Sequence, residues 1–514
     1  MTTVRTATGL VEVAPPVPGA VRSQAFAVTV EDVAVPVEDW RDLSFARVAL
    51  AGVVRVVVER AAGGEAAWRV RPRPPGPGAA PGGRGRVLRF TLDRPGTWVV
   101  DADRGRRLVL FAEAPESGAP DPADPGVVDV RRHGAVGDGA GVETEALQRA
   151  LDSVAAAGGG VLHLPPGIYR TGTLRLRSRV TLHVAAGALL QGTGDPADHP
   201  VDPGRTEGPA TYGEHFTHSR LIHLDGVHDA GIVGRGVVDG DGVRLRAAGR
   251  TSNLVRVSRS HDVTIRDVVL RDSAAWNTHV LDSTRVRVEG VRILNDASLL
   301  NTDGIDIDSS SEVLVDRLFV HAGDDAVCVK ATRNGDPGGR SPAGDVRRVL
   351  VRDGVYLTRC AALKVGTESN AELVSDVRFI DNTVLDSDRA MSLVMRDGGA
   401  YARIGFKGVL VDGVDHLVEQ AVQLRAGYDR RPGRMTGLTF RDVVAPDYHP
   451  RDNRTSYNPA GGPVLSGYDA QYPLVGVRFA GVVVNGHRLA DAAGAWEHAR
   501  IDLGLHVHDV RFEP

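Results

Sequence analysis

Apolar and polar residues alternate in short tracts along nearly the whole chain, and the spacing of these tracts changes near residue 116. Between residues 24 and 115, tracts such as 26–30 (Phe-Ala-Val-Thr-Val) are separated by turns rich in Gly and Pro. A period of two between such turns predicts a small antiparallel β-sandwich over 24–115, preceded by an N-terminal extension over 1–23. Four prolines follow between 115 and 126, where neither a strand nor a helix can continue, so we predict a linker over 116–126.

From residue 127 onward the pattern is typical of a solenoid. One helix is predicted over 144–157, because apolar residues recur there on a single face. Beyond it, pairs of apolar residues recur at steps of 23, 27, 36, 28, 27, 34 and 39 residues. The pairs are Val263/Ile265, Val286/Val288, Val313/Val315, Val349/Val351, Val377/Phe379, Ile404/Phe406, Leu438/Phe440 and Val477/Phe479. Steps of 23–28 residues are too short for the four-stranded blades of a propeller.

We therefore predict an all-β chain whose residues 127–514 form a right-handed parallel β-helix, with the helix at 144–157 capping its N-terminal end. Each coil adds one rung of strands, and the longer coils form loops.

Composition excludes several classes of partner. The net charge is −4, so no basic field favours nucleic acid or an anionic membrane, and no apolar run reaches the roughly 18 residues of a membrane span. Two cysteines and 17 histidines without paired spacing indicate neither a disulfide scaffold nor a metal site, so no metal or other cofactor is expected. No signal peptide is visible, which fits either a cytoplasmic protein or a secreted protein whose leader has been removed.

Three carboxylates stand out in the stretch 301–330. Asp303 precedes Asp324 and Asp325 by 21 and 22 residues, which is one coil, so the three side chains are expected on neighbouring rungs about 4.8 Å apart. Crowded carboxylates cannot all ionise freely, and one of them should have a raised pKa. A protonated carboxyl beside an ionised one can cleave a glycosidic bond by general acid and general base catalysis. Asp306 and Asp308 are interpreted as turn-capping residues or residues of the groove rim.

Two motifs resemble glycoside hydrolase family 28, the polygalacturonases and their relatives. They are Asn301-Thr302-Asp303-Gly304 and Gly323-Asp324-Asp325. The opening tracts at 128–139, 157–160 and 164–169 are similar to those of many pectin-active β-helix proteins. The resemblance covers about 127–514, and the sandwich more weakly resembles the N-terminal domain of family 49 dextranases.

This resemblance implies an inverting hydrolase that acts on an oligo- or polysaccharide and needs no metal. It implies that Asp324 protonates the leaving oxygen, while Asp303 and Asp325 activate the attacking water. The polygalacturonase pattern fails at two later positions. Ala361 stands where that family carries His, and Met391-Ser392-Leu393 stands where it carries Arg-Ile-Lys.

Without the Arg and Lys, the site lacks the charge-assisted recognition that a uronic acid requires. We therefore expect a neutral sugar or a uronide that is bound in another way, with an ordinary polygalacturonase or exo-galacturonidase as the alternative. Other substrate-binding candidates lie on neighbouring coils, and insertions at 331–346 and 425–460 are predicted to wall the groove. The candidates are Asn301, Trp276, His279, Lys330, Lys364, Glu368, Arg396, Asp397 and Tyr428.

For some candidates a structural role is an equal or better interpretation. Trp276 could belong to the core, Tyr428 to a solvated turn, and Cys328 is expected to be a core thiol. Two functions from other classes also remain open at this stage. A polysaccharide lyase would need a Lys or Arg base and usually calcium, and a carbohydrate-binding solenoid would need no cluster of carboxylates.

Overall fold

Over the residues that it describes, the computed structural model is mostly β, with two mainly antiparallel sheets at the N-terminus and three stacked parallel sheets after residue 126. No helix in the described part of the chain has both the length and the apolar composition that a membrane crossing needs. The structure describes residues 2–5, 9–61, 64–72, 82–103, 105–116, 118–201, 219–332, 344–424 and 431–513.

The parallel strands form a β-helix with three sheets, which we call sheets I, II and III in the order in which each coil visits them. The strands of sheet I are Val127–Asp129, Gly160–Leu164, Val180–Val184, His228–Val233, His261–Arg266, Thr284–Glu289, Ser311–Asp316, Val346–Arg352, Leu373–Ile380, Ala400–Lys407, Arg434–Arg441, Leu474–Ala480 and Val507–Glu513. The strands of sheet II are Asp138–Val142, Gly167–Thr171, Ala188–Gly192, Val237–Asp239, Val269–Arg271, Arg292–Leu294, Phe319–Ala322, Val355–Thr358, Thr383–Leu385, Leu410–Asp412, Val444–Ala445, Val483–Val484 and His487–Arg488. The strands of sheet III are Leu174–Arg175, Arg220–Asp225, Asn253–Ser258, Thr278–Leu281, Ile305–Asp308, Val327–Ala331, Ala361–Ser369, Arg389–Met395 and His416–Val422.

The register of sheet I confirms the predicted coil spacing. The apolar pairs identified in the sequence are cross-strand partners in the same order, from Val263 opposite Val286 through to Leu438 opposite Val477. Their side chains point into the core, where a ladder of stacked phenylalanine rings forms in the later coils. The ring centroids of Phe379, Phe406, Phe440, Phe479 and Phe512 lie 4.9, 5.4, 5.0 and 5.2 Å apart in succession.

Within the described ranges, three α-helices interrupt the strands: α1 (Thr144–Ala156), α2 (Gly242–Ala247) and α3 (Ala492–Ala499). Helix α1 is the predicted helix, and it packs against the first strands of sheets I and III. The predicted apolar face is the buried one, so this helix covers the core at the N-terminal end of the β-helix. Helices α2 and α3 are short and were not predicted, because neither gives more than two turns of apolar periodicity.

The N-terminal sandwich has one nine-stranded and one four-stranded sheet. The nine strands are Thr2–Arg5, Gly9–Val13, Val21–Arg22, Val37–Trp40, Leu43–Gly52, Ala66–Arg71, Gly82–Gly85, Gly96–Ala102 and Arg107–Glu113. The four are Phe26–Val30, Val33–Val35, Val54–Arg60 and Val87–Leu92. The residues predicted as an extension over 1–23 thus supply strands to the larger sheet, since Gly9–Val13 pairs antiparallel with Leu43–Gly52.

The nine-stranded sheet is buried on both faces, which attaches the sandwich to sheet II. Along Arg107–Glu113, Leu108 and Leu110 point into the sandwich core, whereas Val109 and Phe111 pack on the β-helix. The ring of Phe111 meets that of Phe319 edge-on with centroids 5.0 Å apart. Ion pairs cross the same junction, including Arg292–Glu113 at 3.0 Å, Arg41–Asp272 at 3.0 Å and Arg71–Asp386 at 2.7 Å. Because the sandwich covers sheet II, that sheet is closed to a substrate.

The tight corners between sheets I and II explain the frequent Asp and Gly in this part of the sequence. Asp381 occupies the left-handed region there with φ +54°, and Gly408 takes the next rung with φ +66°. A Cβ atom on Gly408 would lie 2.0 Å from Asp381 Oδ1, so only glycine fits beside that carboxylate. Alternating the two residue types allows successive sharp bends to stack.

We expect Phe440→Ala to lower the free energy of unfolding by about 3–5 kcal/mol, because it leaves a cavity between two stacked rings. Denaturant unfolding followed by circular dichroism measures the loss. The control is Phe512→Ala at the end of the ladder, where one ring is stacked and the side chain is partly exposed. It should lose about half as much or less, and equal losses in the two variants would contradict the ladder's role.

Candidate active site

Asp303, Asp324 and Asp325 lie in the turns that lead from sheet II into sheet III on two consecutive coils. Asp303 precedes the strand Ile305–Asp308 by two residues, and Asp325 precedes Val327–Ala331 by two. Since Ile305 pairs with Val327, Asp303 and Asp325 stand on adjacent rungs in register. The Gly304 N–H donates to the Asp325 carbonyl at 2.9 Å, which extends the ladder into the turn. The fold therefore brings all three carboxylates together, as the one-coil spacing predicts.

Asp324 is the only one of the three that is partly exposed; Asp303 and Asp325 are buried. Its Oδ2 accepts the backbone N–H of Asn301 at 3.1 Å, and its Oδ1 accepts the N–H of Asp325 at 2.9 Å. Asn301 occupies the left-handed region with φ +58°, which Asn tolerates better than most residues. Asn301 therefore positions the Asp324 carboxylate at the surface of the turn.

Both oxygens of the Asp325 carboxylate are held by the strand Ala361–Ser369. The Ala361 N–H donates to Oδ1 at 3.1 Å, and the Lys364 ammonium donates to Oδ2 at 2.6 Å. Burial raises the pKa of Asp325, but Lys364 and Arg389 lower it more, so this pKa lies below its usual range. Lys364, predicted to bind substrate, is thus bound to a neighbouring carboxylate.

The pKa of Asp303 is shifted in the opposite direction to that of Asp325. It is fully buried, and its Oδ1 has no hydrogen-bond partner in the described part of the chain. Burial, and then the nearby Asp306 and Asp324 carboxylates, raise the pKa of Asp303 well above its usual range. The raised pKa that the sequence predicts for one of three crowded carboxylates therefore falls on Asp303.

A row of polar side chains on the outer face of sheet III lies beside these carboxylates, and we call it the floor. Its members occupy one register position on successive rungs, and all of them are buried. They are His279, Asp306, Cys328, Lys364, Ser392 and Glu419. Buried charges require partners of opposite charge. The floor residue Glu419, for example, pairs with Arg389 at 3.2 Å.

Asp306 and Asp308 lie inside a strand of sheet III, which corrects their interpretation as turn-capping or rim residues. Asp306 Oδ1 lies 2.6 Å from Lys330 Nζ, and Asp308 Oδ2 lies 3.0 Å from His279 Nε2. Period-two alternation already places both side chains on the outer face. The sequence could not show that a lysine and a histidine on neighbouring strands would meet them.

Trp276 and Lys330 are also buried, and they pack together with the floor residue His279. Lys330 Nζ lies 3.7 Å from the centroid of the Trp276 ring, which meets the His279 ring edge-on at 5.1 Å. Burial lowers the pKa of His279 to about 4, despite the hydrogen bond with Asp308, so the ring is neutral near pH 7. The predicted sugar contacts of these residues have no exposed surface in this arrangement.

The remaining candidates lie near an aromatic residue that sequence reasoning missed. Tyr457 is partly exposed, and its ring centroid lies 5.3 Å from Lys364 Nζ and 5.9 Å from Arg396 Cζ. It belongs to the predicted insertion at 425–460, but no motif in that insertion singles it out. Glu368 is partly exposed, with Oε2 3.8 Å from Lys330 Nζ.

Two candidates complete the set. Asp397 is buried, and it accepts the Ser369 N–H at 3.3 Å, so it anchors the end of a floor strand. Tyr428 lies outside the described residues.

One group of side chains has the composition of a metal site. Ligand atoms of Asp324, Asp325 and Cys360 lie within 4.8 Å of one another. Cations already hold two of the three, since Lys364 pairs with Asp325 and Arg389 donates to Cys360 Sγ at 2.7 Å. An added divalent cation would be repelled by both of these cations.

Comparison with known proteins identifies relatives of this chain. Residues 204–393 match the glycosyl hydrolases family 28. A probable polygalacturonase from Vitis vinifera is 27% identical over 336 residues, which cover 61% of this chain and 67% of that protein.

Two solved structures share the fold. The family 28 exopolygalacturonase of Yersinia enterocolitica is 16% identical with a TM-score of 0.57, over 89% of this chain and 96% of that one. Dex49A from Penicillium minioluteum is 11% identical with a TM-score of 0.53, over 99% of both chains. The second match includes the N-terminal sandwich, as the resemblance to family 49 dextranases predicts.

The family match and the similarity to polygalacturonases indicate an enzyme that hydrolyses glycosidic bonds. Residues 204–393 resemble glycoside hydrolase family 28, and the chain is polygalacturonase-like.

The raised pKa of Asp303 makes stability depend on pH. Folding raises this pKa, so Asp303 lowers stability progressively as pH rises from the unfolded pKa near 4. We expect Asp303→Asn to unfold at a higher temperature than the wild type near pH 7.5, and the advantage should shrink near pH 4.

The matched control for this prediction is Asp308→Asn. Asp308 is equally buried, but hydrogen bonds from His279 and Thr332 outweigh the effect of burial and lower its pKa. That variant should therefore lose stability near pH 7.5. Thermal unfolding at both pH values measures the two effects, and a lower melting temperature for Asp303→Asn at neutral pH would contradict the assignment.

Proposed function

We propose that this chain is an inverting hydrolase of O-glycosidic bonds in an oligo- or polysaccharide. The observation that carries the proposal is the contrast among three neighbouring carboxylates. Asp324 is partly exposed, Asp325 is ion-paired with a lysine, and Asp303 is buried with a raised pKa. Carboxyl groups whose environments separate their protonation states are what acid and base catalysis of glycoside cleavage requires.

The catalytic roles that we propose for the three carboxylates follow from their exposure and their charge. Asp324 donates a proton to the leaving oxygen, because it is the carboxyl that solvent, and therefore a glycosidic oxygen, reaches. Asp325 accepts a proton from the attacking water, because Lys364 keeps it ionised. Asp303 lies one rung away and is assigned to the same water by the resemblance to family 28. Inversion follows when water and leaving group occupy opposite faces of the sugar.

The protonation of the two lysines near the site argues against a lyase. A lyase would abstract a proton with a neutral Lys or Arg. Lys330 and Lys364 each lie 2.6 Å from a buried carboxylate, and these carboxylates raise their pKa values despite burial. Both ammonium groups are therefore firmly protonated and unsuited to act as bases.

The charges around the site favour a neutral sugar. The positions aligned with the polygalacturonase His and Arg-Ile-Lys tract are Ala361 and Met391-Ser392-Leu393, and none of these side chains is charged. The buried cations Lys364 and Arg389 already pair with Asp325 and Glu419. A substrate carboxylate there would be desolvated without a cationic partner, which costs several kcal/mol.

One observation favours the alternative, a polygalacturonase or exo-galacturonidase. Arg396 is partly exposed beside Tyr457 and forms no ion pair with the residues that the structure describes. It is therefore the cation best able to meet a uronate carboxylate. The grapevine protein and the Yersinia enterocolitica enzyme, named as a probable polygalacturonase and an exopolygalacturonase, point in the same direction.

We expect Asp324→Asn to lower kcat by about 10²–10⁴, the usual contribution of a positioned general acid. The fold should persist, because the change is isosteric at a partly exposed turn. Release of reducing sugar from oligosaccharides measures the effect. Asp353→Asn, an exposed corner residue between sheets I and II, is the matched control and should keep wild-type activity. Wild-type turnover by Asp324→Asn would remove Asp324 from the acid role.

We expect kcat/KM on neutral glucan, galactan or arabinan trisaccharides to exceed that on trigalacturonate by about tenfold or more, which corresponds to about 1.4 kcal/mol. The panel is compared at equal concentration with chromatographic detection of products. Efficient cleavage of trigalacturonate, lost in Arg396→Gln, would instead establish the galacturonide alternative.

A further inference from the structure

We propose that Lys364 is a positioning residue that holds the Asp325 carboxylate as an oriented anion and thereby makes Asp325, rather than Asp303, the base that activates water. The inference rests on the proposed hydrolytic function and adds a residue to it. Lys364 would act through Asp325 and would not contact the sugar.

The geometry leaves the Asp325 carboxylate little freedom. Lys364 Nζ lies 2.6 Å from Oδ2, and the two side chains are only 5% and 4% exposed. The Ala361 N–H holds the other oxygen at 3.1 Å. Both donors belong to the strand Ala361–Ser369 in the next coil, so a single rigid element fixes the orientation of the carboxylate. A base held in this way needs no reorganisation when water arrives.

Of the cations near Asp325, Lys364 is the one that is paired with it, because the others are paired with different carboxylates. Arg389 pairs with Glu419 at 3.2 Å and with Asp388 at 3.1 Å, and Lys330 pairs with Asp306 at 2.6 Å. Among the described residues, Lys364 is the one cation in ion-pair contact with Asp325. The titratable and charged groups that face Asp325 are Asp303, Asp306, Asp324, Cys328, Lys330, Cys360, Lys364, Arg389 and Tyr457.

Asp303 provides the contrast that decides between the two carboxylates. It stands one rung from Asp325 and is equally buried, but no described cation forms an ion pair with it. Burial and the neighbouring carboxylates raise the pKa of Asp303, whereas the pKa of Asp325 is lowered. Only an ionised carboxylate can take a proton from water, so Asp325 is the member of the pair prepared for that step.

The proton balance of the step is complete. As the water oxygen bonds to the anomeric carbon, one water proton passes to Asp325, and the Asp324 proton passes to the leaving oxygen as the glycosidic bond breaks. Lys364 keeps its charge throughout. Exchange with solvent then restores the proton on Asp324 and the anion on Asp325. Because Lys364 keeps Asp325 ionised in mild acid, the acidic limb of the activity profile should lie at low pH.

The first experiment needs no substrate and compares thermal unfolding of the wild type and Lys364→Met at about pH 4.5 and pH 7.5. In the wild type, Asp325 stabilises the fold above its unfolded pKa, because folding lowers that pKa. In Lys364→Met, the buried carboxylate has lost its ion pair, so stability falls as pH rises. The loss of melting temperature should be roughly twofold or more larger at pH 7.5 than at pH 4.5.

Two further variants test the source of that loss. Lys407→Met removes an exposed lysine on sheet I, and its small effect should be the same at both pH values. The double variant Asp325→Asn/Lys364→Met removes both charges, so it should recover part of the stability lost near pH 7.5. A loss in Lys364→Met that is equal at both pH values, with no recovery in the double variant, would overturn the charge-holding role.

The second experiment measures kcat and KM against pH on the best-cleaved member of the trisaccharide panel. Lys364→Met should lower kcat by about 10² and move the acidic limb up by about one pH unit or more, with little change in KM. Lys364→Arg, which keeps the charge, should restore the position of the limb. A purely structural role would lower activity equally at every pH. An unmoved limb, together with the expected unfolding results, would show that the ion pair exists but that Asp325 is not the base.

Discussion

Backbone hydrogen bonds between successive coils hold each strand about 4.8 Å from the equivalent strand of the next coil, and the rest of the molecule depends on that spacing. It converts a separation of 21 or 22 residues along the chain into contact between side chains, as for Asp303 and Asp325. The same spacing stacks five phenylalanine rings inside the core and the row of polar side chains that forms the floor. A cluster of like charges is therefore imposed by the fold, and its neighbours must offset it.

Charged side chains that are buried on sheet III and at the junction with the sandwich are paired with side chains of opposite charge. Around the floor, Lys330 and Lys364 each lie 2.6 Å from an aspartate, and Arg389 pairs with Glu419. At the junction with the sandwich, Glu113 pairs with Arg235 and Arg292. Buried pairs of this kind add little net stability, but breaking one leaves an uncompensated charge, so they fix geometry. The floor and the junction are thus the most rigidly specified parts of the enzyme.

The three carboxylates lie in different environments, and the proposed catalytic roles depend on that difference. If Asp303, Asp324 and Asp325 shared one environment, their protons would be shared among them and no single carboxyl would have a defined role. Among the described residues, Lys364 forms an ion pair only with Asp325, Asp324 is the most exposed of the three, and Asp303 has no ion pair. The sandwich contributes by covering sheet II, which leaves the turns beside sheet III as the place where a carbohydrate can reach these groups.

The sequence by itself determined the β-helix, its coil register, the capping helix and the meeting of three carboxylates, because these follow from periodicity and the fixed rung spacing. Helix α1 and the order of apolar pairs along sheet I needed no tertiary information. Only the tertiary structure decided which cation meets which acid, that Trp276 packs against His279 and Lys330, and that Tyr457 approaches Lys364 from a distant loop. The physical reason is that periodicity specifies the face on which a side chain lies, whereas its partner and its exposure depend on other coils and on loops whose paths have no period.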